Sequence, residues 1–343
     1  MNRIALIGAG RIGKIHAANA LAQPGIELAY VVDAVGAAAE ELARTTGARV
    51  APLDEIFADG SIAGVVIASS TDTHLELCLR AIETGKAAFC EKPLDLDLAK
   101  AEAAAPTLGQ SEARLFLGFN RRFDPNFRRL RDQIHSGALG ALETLHIVSH
   151  DPAPPPIDYV RVSGGLFKDM AIHDFDMARW LLGEEPVEVY AAGACLIDPG
   201  IGEAGDIDTA KTVLRTGSGK ICVISNSRRS GYGYDQRIEA FCSNGLLRAG
   251  NVRETTVESW EASGSHSDPL QNFFLDRYRD AYRAEMAHFA GVVAGEQEPL
   301  VGYRDGVAAL ALADAAAESN AAKAVVQVTA APARDCPGSP ELG

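Results

Sequence analysis

Three closely spaced glycines near the start of the chain limit what its first part can fold into. Gly8, Gly10 and Gly13 form the pattern G-x-G-x-x-G within IALIGAGRIG. A short apolar run precedes the pattern, and a helical pattern from Ile12 to Leu21 follows it. Asp33 ends the next apolar run, about 20 residues after Gly13. A strand, a tight turn and a helix in this arrangement bind the pyrophosphate of a dinucleotide.

The residues of this turn have separate physical roles. Gly8 permits the tight turn, Gly10 lets the backbone approach a pyrophosphate, and Gly13 lets helix and strand pack closely. Arg11 and Ile12 open the helix, whose N-terminus attracts phosphate charge. We therefore predict that these five residues bind a dinucleotide.

Asp33 indicates which dinucleotide is bound. A carboxylate at this strand end accepts hydrogen bonds from an unmodified adenine ribose and repels a 2′-phosphate. The next residues, Ala34, Val35 and Gly36, supply no cation to offset that repulsion. The sequence therefore predicts NAD rather than NADP.

The rest of the first third of the chain repeats this alternation. Short apolar runs are separated by helix-length amphipathic segments, which is typical of βαβ units and a parallel sheet. The runs are RIALIG, ELAYVVD, GVVIAS, AAFCE and RLFLGF. We predict an α/β chain in which residues 1–120 form an NAD-binding Rossmann domain.

The pattern changes after about residue 120. Longer apolar runs with closely spaced turn signals predict antiparallel hairpins. Strands are predicted for LETLHIVSH and near 186–197, 207–215, 219–228 and 236–243, and helices near 124–136, 276–294 and 303–322. Residues 121–328 are expected to form an α+β domain with a large, mostly antiparallel open sheet. The Pro/Gly-rich residues 329–343 are expected to be a disordered tail.

Charge and composition exclude several classes of partner. The net charge of −14 argues against nucleic acid or an anionic membrane, because nothing would neutralise their phosphates. No segment approaches the length of a membrane span, and Arg11 interrupts the apolar start before any cleavage site. The six cysteines are scattered without a C-x-x-C pair, which is typical of reduced packing residues. We expect a soluble, cytoplasmic protein.

A second motif, KDMAIHDFDMARW, predicts a helix from Lys168 to Trp180. Asp169 and His173 are four residues apart and so share one face, which Asp176 and Trp180 continue. The first pair is either catalytic or an ordinary hydrogen-bonded pair on a solvated face. A metal site is rejected, since no second histidine or cysteine lies at ligand spacing. Asp176 is expected to be a cap or an ion-pair partner, and Trp180 a core residue.

Two further turns adjoin the predicted cofactor crevice. Lys92 follows the strand AAFCE at its carboxyl end, the side on which open α/β sheets bind ligands, and Pro93 restricts its geometry. Lys92 is expected to contact both cofactor and substrate. The other cofactor contacts predicted at these turns are Ser70, Thr71, His74 and Glu91. Packing and helix capping are an equally good interpretation of His74.

These motifs together resemble the Gfo/Idh/MocA oxidoreductase family. The shared segments are GAGRIG, STDTHLELCLRAIETGKAAFCEKPL and GGLFKDMAIHDFDMARW. Three further segments, GFNRRFDPNF, DPAPPP and SRRSGYGYDQRIEAF, are similar to the inositol 2-dehydrogenase branch of that family. The resemblance covers roughly residues 3–328.

The resemblance implies an oxidation of a secondary alcohol on a cyclitol ring, with hydride passing to NAD⁺; myo-inositol would give 2-keto-myo-inositol (scyllo-inosose). His173 corresponds to the family's base, and a neutral imidazole suits that task. Asp169 would orient the ring and join a proton relay. Lys92 would stabilise the developing alkoxide, and a cis bond before Pro93 is common in the family.

The inositol branch also implies substrate contacts at Asp151 and Tyr234, for which ordinary loop and strand roles stay open. Arg121 and Arg122 either line the cleft or form salt bridges on the acidic surface. The family is commonly homotetrameric, so an open sheet face would pair between subunits. Three other activities fit the same fold: a dehydrogenase for another cyclitol or an aldose, an NAD-dependent glycosidase, and a non-catalytic NAD-binding regulator. The intact Lys92, Asp169 and His173 count against the regulator.

Overall fold

The computed structural model describes residues 1–328, so the predicted tail lies outside the described residues. The first part of the chain folds into a six-stranded sheet in which every pair of neighbouring strands is parallel. Its strands are β1 (Asn2–Ile7), β2 (Ile26–Val32), β3 (Arg49–Val50), β4 (Ile62–Ile67), β5 (Ala87–Glu91) and β6 (Leu115–Gly118). The intervening helices are α1 (Arg11–Leu21), α2 (Gly36–Thr46), α3 (Leu53–Ala58), α4 (His74–Glu83) and α5 (Leu98–Ala103).

The strand order β3-β2-β1-β4-β5-β6 is that of a Rossmann sheet and confirms the predicted fold class. The order reverses between β1 and β4, and ligands bind in the crevice at such a reversal. The turns after β1, β2, β4 and β5 all lie at the same edge, because the strands are parallel. The sequence therefore places its glycine-rich turn and its Lys92 turn at one edge of one sheet.

The second sheet has seven strands in the order β12-β11-β7-β10-β9-β8-β15. All neighbours are antiparallel except β10 and β7, which run parallel, so the predicted mostly antiparallel sheet is confirmed. These strands are β7 (Leu142–His150), β8 (Pro186–Ala194), β9 (Thr209–Thr216), β10 (Ile221–Ser227), β11 (Asp235–Cys242), β12 (Gly245–Ala249) and β15 (Val326–Gln327). A separate hairpin joins β13 (Glu258–Glu261) and β14 (Gly264–Ser267).

Helices cover one face of this sheet and also reach back to the first. The helices of this part are α6 (Pro125–His135), α7 (Ile157–Val160), α8 (Ile172–Leu182), α9 (Pro199–Glu203), α10 (Phe274–Arg277), α11 (Arg279–Ala294) and α12 (Tyr303–Ala322). Helix α8 packs on β7, and α12 packs on β8 and α8. Helix α11 packs instead against α1, β1 and β5. Gly64 of β4 permits this contact, since a Cβ there would lie 2.9 Å from a methyl group of Val293.

The boundary near residue 120 stays a prediction, because α11 and α12 contact elements on both sides of it. Within residues 1–328, no helix combines the length and apolar character needed to cross a bilayer.

Candidate active site

The glycine-rich turn has the geometry that its sequence predicts. Gly8 has a φ of +105°, and a Cβ on it would collide with the backbone of Ala68. A Cβ on Gly13 would collide with the carbonyl of Gly8, whereas the Cβ position of Gly10 has no atom within 4 Å. Gly8 and Gly13 are thus required by the packing of the turn itself, whereas Gly10 leaves open space for the pyrophosphate of a ligand.

Helix α1 begins at Arg11 without a side-chain cap, and no acidic residue lies in its first turn. Its first amide groups, which include those of Arg11 and Ile12, are therefore free to bind an anion. The exposed Arg11 guanidinium lies 5.8 Å from the ring centroid of Phe273. These observations fit a bound dinucleotide, whose pyrophosphate these amides would hold.

Asp33 lies directly after β2 and supports the same turn. Its Oδ2 accepts a hydrogen bond from the Ala9 amide at 2.6 Å, and its Oδ1 accepts one from the Val35 amide at 2.7 Å. The carboxylate is thereby fixed beside the crevice, and each oxygen keeps a lone pair. Contact between Asp33 and a ribose remains a prediction that this placement supports.

His74 connects two turns that face the crevice. Ser70 precedes a short 3₁₀ turn from Thr71 to Thr73, and α4 begins at His74. The His74 ring is buried, with Nδ1 2.8 Å from the Pro93 carbonyl oxygen and Nε2 3.1 Å from the Ser69 carbonyl oxygen. His74 therefore ties the turn after β4 to the turn that carries Lys92, a role in packing that its sequence left open.

The Lys92–Pro93 peptide bond is cis, in agreement with what the family resemblance implies. Lys92 Nζ donates to the backbone carbonyl of Asp169 at 2.7 Å and lies 3.6 Å from its Oδ1. Glu91 turns the other way, and its Oε1 lies 2.7 Å from Nε2 of the buried His16. Alternation along the strand thus separates Lys92, which faces the π-helical turn Phe167–Ala171, from Glu91, which faces α1.

The segment that carries Asp169 and His173 departs from the predicted regular helix. Phe167–Ala171 forms a π-helical turn, and α8 begins only at Ile172. Residues four apart are therefore not aligned as in an α-helix, and no hydrogen bond joins Asp169 to His173 among the described residues. Asp169 contacts Lys92 instead, so its predicted orienting contact with the imidazole is absent from this structure.

The charge of Lys92 acts on His173 and favours the neutral imidazole. Burial, followed by the positive charges of Lys92 and Arg121, lowers the pKa of His173 well below its usual value. Its Nδ1 has no hydrogen-bond partner in the described part of the chain, and its ring lies edge-on to Phe119 at 6.0 Å between centroids. A neutral imidazole beside an ammonium group is able to take a proton from an alcohol while the ammonium stabilises the oxygen.

Asp151 and Tyr234 lie at the same end of the second sheet. The Asp151 amide donates to the Ser227 carbonyl at 2.9 Å, directly after β7. Burial raises the pKa of Asp151 to about 6, although the charge of Arg228 opposes this. Burial, and then the neighbouring Tyr278, also raise the pKa of Tyr234. The two side chains supply a carboxyl and a phenol to the site, which makes the predicted polyol contacts feasible.

The arginine pair does not lie on the acidic surface, so that alternative is wrong. Arg121 pairs with Asp174, and Arg122 pairs with Asp176 and Asp305, all in the interior. Asp176 is thus the ion-pair partner that the sequence predicts. Trp180 is only partly buried, and Arg122 and Arg131 both lie near its ring.

Two residues of this site were missed by the sequence prediction. Tyr159 donates to Asp169 Oδ1 at 2.8 Å, and Arg228 donates to Asp169 Oδ2 at 3.3 Å. Tyr159 follows a proline-rich loop, and Arg228 is the first residue after β10. Only the position of Arg228 in the segment SRRSGYGYDQRIEAF gave any signal.

Comparisons with known proteins agree with this geometry. Residues 2–119 match the model of an oxidoreductase family with an NAD-binding Rossmann fold, and residues 127–248 match the GFO/IDH/MocA C-terminal domain. An inositol 2-dehydrogenase of Rhizobium meliloti is 48% identical, covering 95% of this chain and 99% of its own.

Solved structures resemble the chain over nearly its whole length. A myo-inositol dehydrogenase from Corynebacterium glutamicum is 46% identical with a TM-score of 0.92, covering 96% of this chain and all of its own. A scyllo-inositol dehydrogenase from Lactobacillus casei, solved with NAD(H) and scyllo-inositol, is 27% identical with a TM-score of 0.88, covering 95% and 99%. The chain therefore belongs to the Gfo/Idh/MocA family of NAD-binding oxidoreductases.

Proposed function

We propose that this protein oxidises myo-inositol to 2-keto-myo-inositol (scyllo-inosose), with NAD⁺ as the oxidant. The observation that carries the proposal is the contact between Lys92 Nζ and the Asp169 carbonyl at 2.7 Å, which keeps the ammonium where its charge helps to lower the pKa of His173. This contact joins the turn after β5 to the π-helical turn Phe167–Ala171, at the edge of the first sheet where the glycine-rich turn also lies. The activities of the similar proteins support a cyclitol as the substrate.

The proposed reaction removes two hydrogens from one alcohol group and passes them to two different acceptors. NAD⁺, when bound at the glycine-rich turn, would supply the acceptor for the hydrogen that leaves the carbinol carbon with its electron pair. His173 takes the hydroxyl proton, and the remaining electrons form the C=O bond. Lys92 donates a hydrogen bond to the same oxygen and stabilises its negative charge as the proton leaves. This step needs the imidazole neutral, and the lowered pKa of His173 supplies that state at neutral pH.

Recognition of the ring would use groups that donate and accept around its circumference. Asp151 and Asp169 offer carboxylate oxygens, and Tyr234 offers a phenol. An inositol presents one hydroxyl on every ring carbon, so several such groups are needed to fix which carbon faces His173. Ser70 and Thr71 would contact the cofactor from the turn after β4, and Glu91 would do so through its backbone, since its side chain pairs with His16.

We also propose that subunits pair through the open face of the second sheet to form a homotetramer. This face carries exposed apolar side chains, which mark protein interfaces when they are contiguous. They are Ile221, Phe241 and Leu246. The cysteines of the described part of the chain are unpaired, which supports a reducing compartment such as the cytoplasm.

Steady-state assays test the proposal. NADH formation is measured with myo-inositol, scyllo-inositol, other inositol isomers and aldoses, with NAD⁺ or NADP⁺ as oxidant. We expect turnover to be highest with myo-inositol and NAD⁺, and Lys92→Met to lower it by at least ~10²-fold. Highest turnover with an aldose, or NAD⁺ binding without oxidation of any polyol, would contradict the proposal.

A further inference from the structure

Asp169 is surrounded by donors from three separate parts of the chain. Lys92 comes from the turn after β5, Tyr159 from α7, and Arg228 from the segment after β10. Oδ1 accepts from the Tyr159 hydroxyl at 2.8 Å and lies 3.6 Å from Lys92 Nζ, while Oδ2 accepts from Arg228 Nη1 at 3.3 Å. The two carboxylate oxygens are thus fixed from opposite sides.

The π-helical turn makes these contacts necessary. In an α-helix, the position of Asp169 would follow from its neighbours one turn away, but the turn Phe167–Ala171 interrupts that geometry. The carbonyl of Asp169 also accepts the Lys92 ammonium. A change in the orientation of Asp169 would therefore move the Lys92 ammonium, because both the backbone carbonyl and the side chain of Asp169 contact it.

Arg228 ties this turn to the segment that precedes it. Its side chain is 1% exposed, and its Nη2 lies 3.7 Å from Asp206 Oδ2. Asp206 Oδ1 accepts the amide of Leu166 at 3.0 Å, one residue before the π-helical turn. Burying a guanidinium costs desolvation free energy, and its contacts with the two carboxylates must offset that cost.

Tyr159 contacts the Asp169 carboxylate from the solvent side. Its residue is 47% exposed, but its hydroxyl points inward to Asp169. The side chain of Lys92 is only 16% exposed and that of Asp169 only 14%. Partial burial, followed by the charge of Asp169, raises the pKa of Tyr159, so its hydroxyl keeps the proton that it donates. The phenol ring shields the pair from water and strengthens the electrostatic contact behind it.

We infer that Tyr159 and Arg228 are positioning residues of the proposed dehydrogenase reaction: they hold the Asp169 carboxylate so that Lys92 Nζ is fixed at the substrate oxygen. The inference rests on the proposed function for its kinetic consequence only. Its structural consequence concerns Lys92 alone and is measurable without turnover.

The first test compares Tyr159→Phe with Tyr190→Phe, which removes a hydroxyl from an exposed tyrosine of β8. Loss of a hydrogen bond to a charged group should lower kcat of Tyr159→Phe by roughly ten- to a hundredfold, with KM for NAD⁺ within about twofold of wild type. Tyr190→Phe should match wild type. Arg228→Met should lose more activity than Arg228→Lys, which keeps the charge. Unchanged kcat in Tyr159→Phe, or equal loss in both Arg228 variants, would overturn the inference.

The second test is independent of activity. Acylation of Lys92 by an amine-reactive ester is followed by peptide mass spectrometry on the folded proteins. Lys92 should react several-fold faster in Tyr159→Phe than in wild type or Tyr190→Phe, because its ammonium is held less firmly. Equal rates would overturn the inference even if the enzyme oxidises inositol. Faster labelling in a protein that oxidises no polyol would support the network and contradict the proposed function alone.

Discussion

The helical segment from Phe167 to Leu182 carries two groups of polar residues in different environments. Asp169 and His173 form its near end, and Asp174 and Asp176, which follow them, are called its far end. At the far end, Asp174 and Asp176 are buried with arginines as partners. At the near end, His173 has an unpartnered Nδ1, and Asp169 shares an incompletely buried pair with Lys92. The far end satisfies its polar groups within the protein, whereas the near end leaves capacity for a ligand. Residues at the two ends should therefore affect different measurable quantities.

The largest expected effect comes from the near end. His173→Ala should lower kcat by ~10²–10⁴-fold, as loss of a general base does. NAD⁺ binding and the free energy of unfolding should change little, since the ring makes no described hydrogen bond through Nδ1. Kinetics, cofactor titration and denaturant unfolding measure these three quantities. Activity near that of wild type would show that another group removes the proton.

Substitutions at the far end should lower the free energy of unfolding. Asp176→Asn removes the carboxylate that accepts from Arg122 Nε at 2.8 Å and leaves a buried guanidinium with Asp305 as its remaining close partner. Breaking such a pair should cost about 3 kcal/mol of unfolding free energy. Urea unfolding measures this loss.

Asp132→Asn is the control, because that carboxylate is 62% exposed and lies 3.7 Å from Arg131. Its unfolding free energy should change by less than about 0.5 kcal/mol. Equal losses in both variants would remove the distinction between the two ends.

The carboxylate of Asp151, a proposed substrate contact, extends the comparison. Burial raises the pKa of Asp151 from 3.8 to about 6, so the folded protein keeps a proton that the unfolded chain releases between these values. The stability that this proton provides is present below pH 4 and is lost as the pH rises through 6.

Asp151→Asn should therefore raise the unfolding free energy at pH 8 by about 1–3 kcal/mol and leave it nearly unchanged at pH 4. It should also raise KM for inositol. Thermal unfolding at the two pH values measures the first effect. An equal change at both pH values would mean that the carboxylate is not destabilising when ionised.

The smallest expected effect concerns the cofactor. Asp33→Ser combined with Ala34→Arg should shift the ratio of kcat/KM for NADP⁺ over NAD⁺ by at least about tenfold, because a repelling charge is replaced by an attracting one. Asp33 also supports the Ala9 amide, so NAD⁺ affinity should fall as well. An unchanged ratio would show that the ribose does not lie at this strand end.

Sequence alone predicts the features that depend on nearby residues. The turn at Gly8 and Gly13 follows from local sterics, and the strands follow from runs of apolar residues. Lys92 and His173 were brought together only by the resemblance to a family, since they are far apart in the chain. The structure adds the contact of Lys92 with Asp169 and the effect of the Lys92 charge on His173.

Other features could not be predicted, for physical reasons. The π-helical turn at Phe167–Ala171 has no sequence signal that separates it from an α-helix. The contact of Arg228 with Asp169 joins residues 59 positions apart. Arg121 and Arg122 look like surface residues by composition, and only tertiary packing shows that buried carboxylates meet them.

The most direct measurement follows one hydrogen atom. Wild-type enzyme is supplied with myo-inositol that carries deuterium on its second ring carbon, and the NADH formed is analysed by mass spectrometry. The account predicts deuterium in the reduced cofactor and a ketone at that carbon, with both lost together in His173→Ala. Cofactor reduced without deuterium, or a ketone at another carbon, would contradict the proposed oxidation.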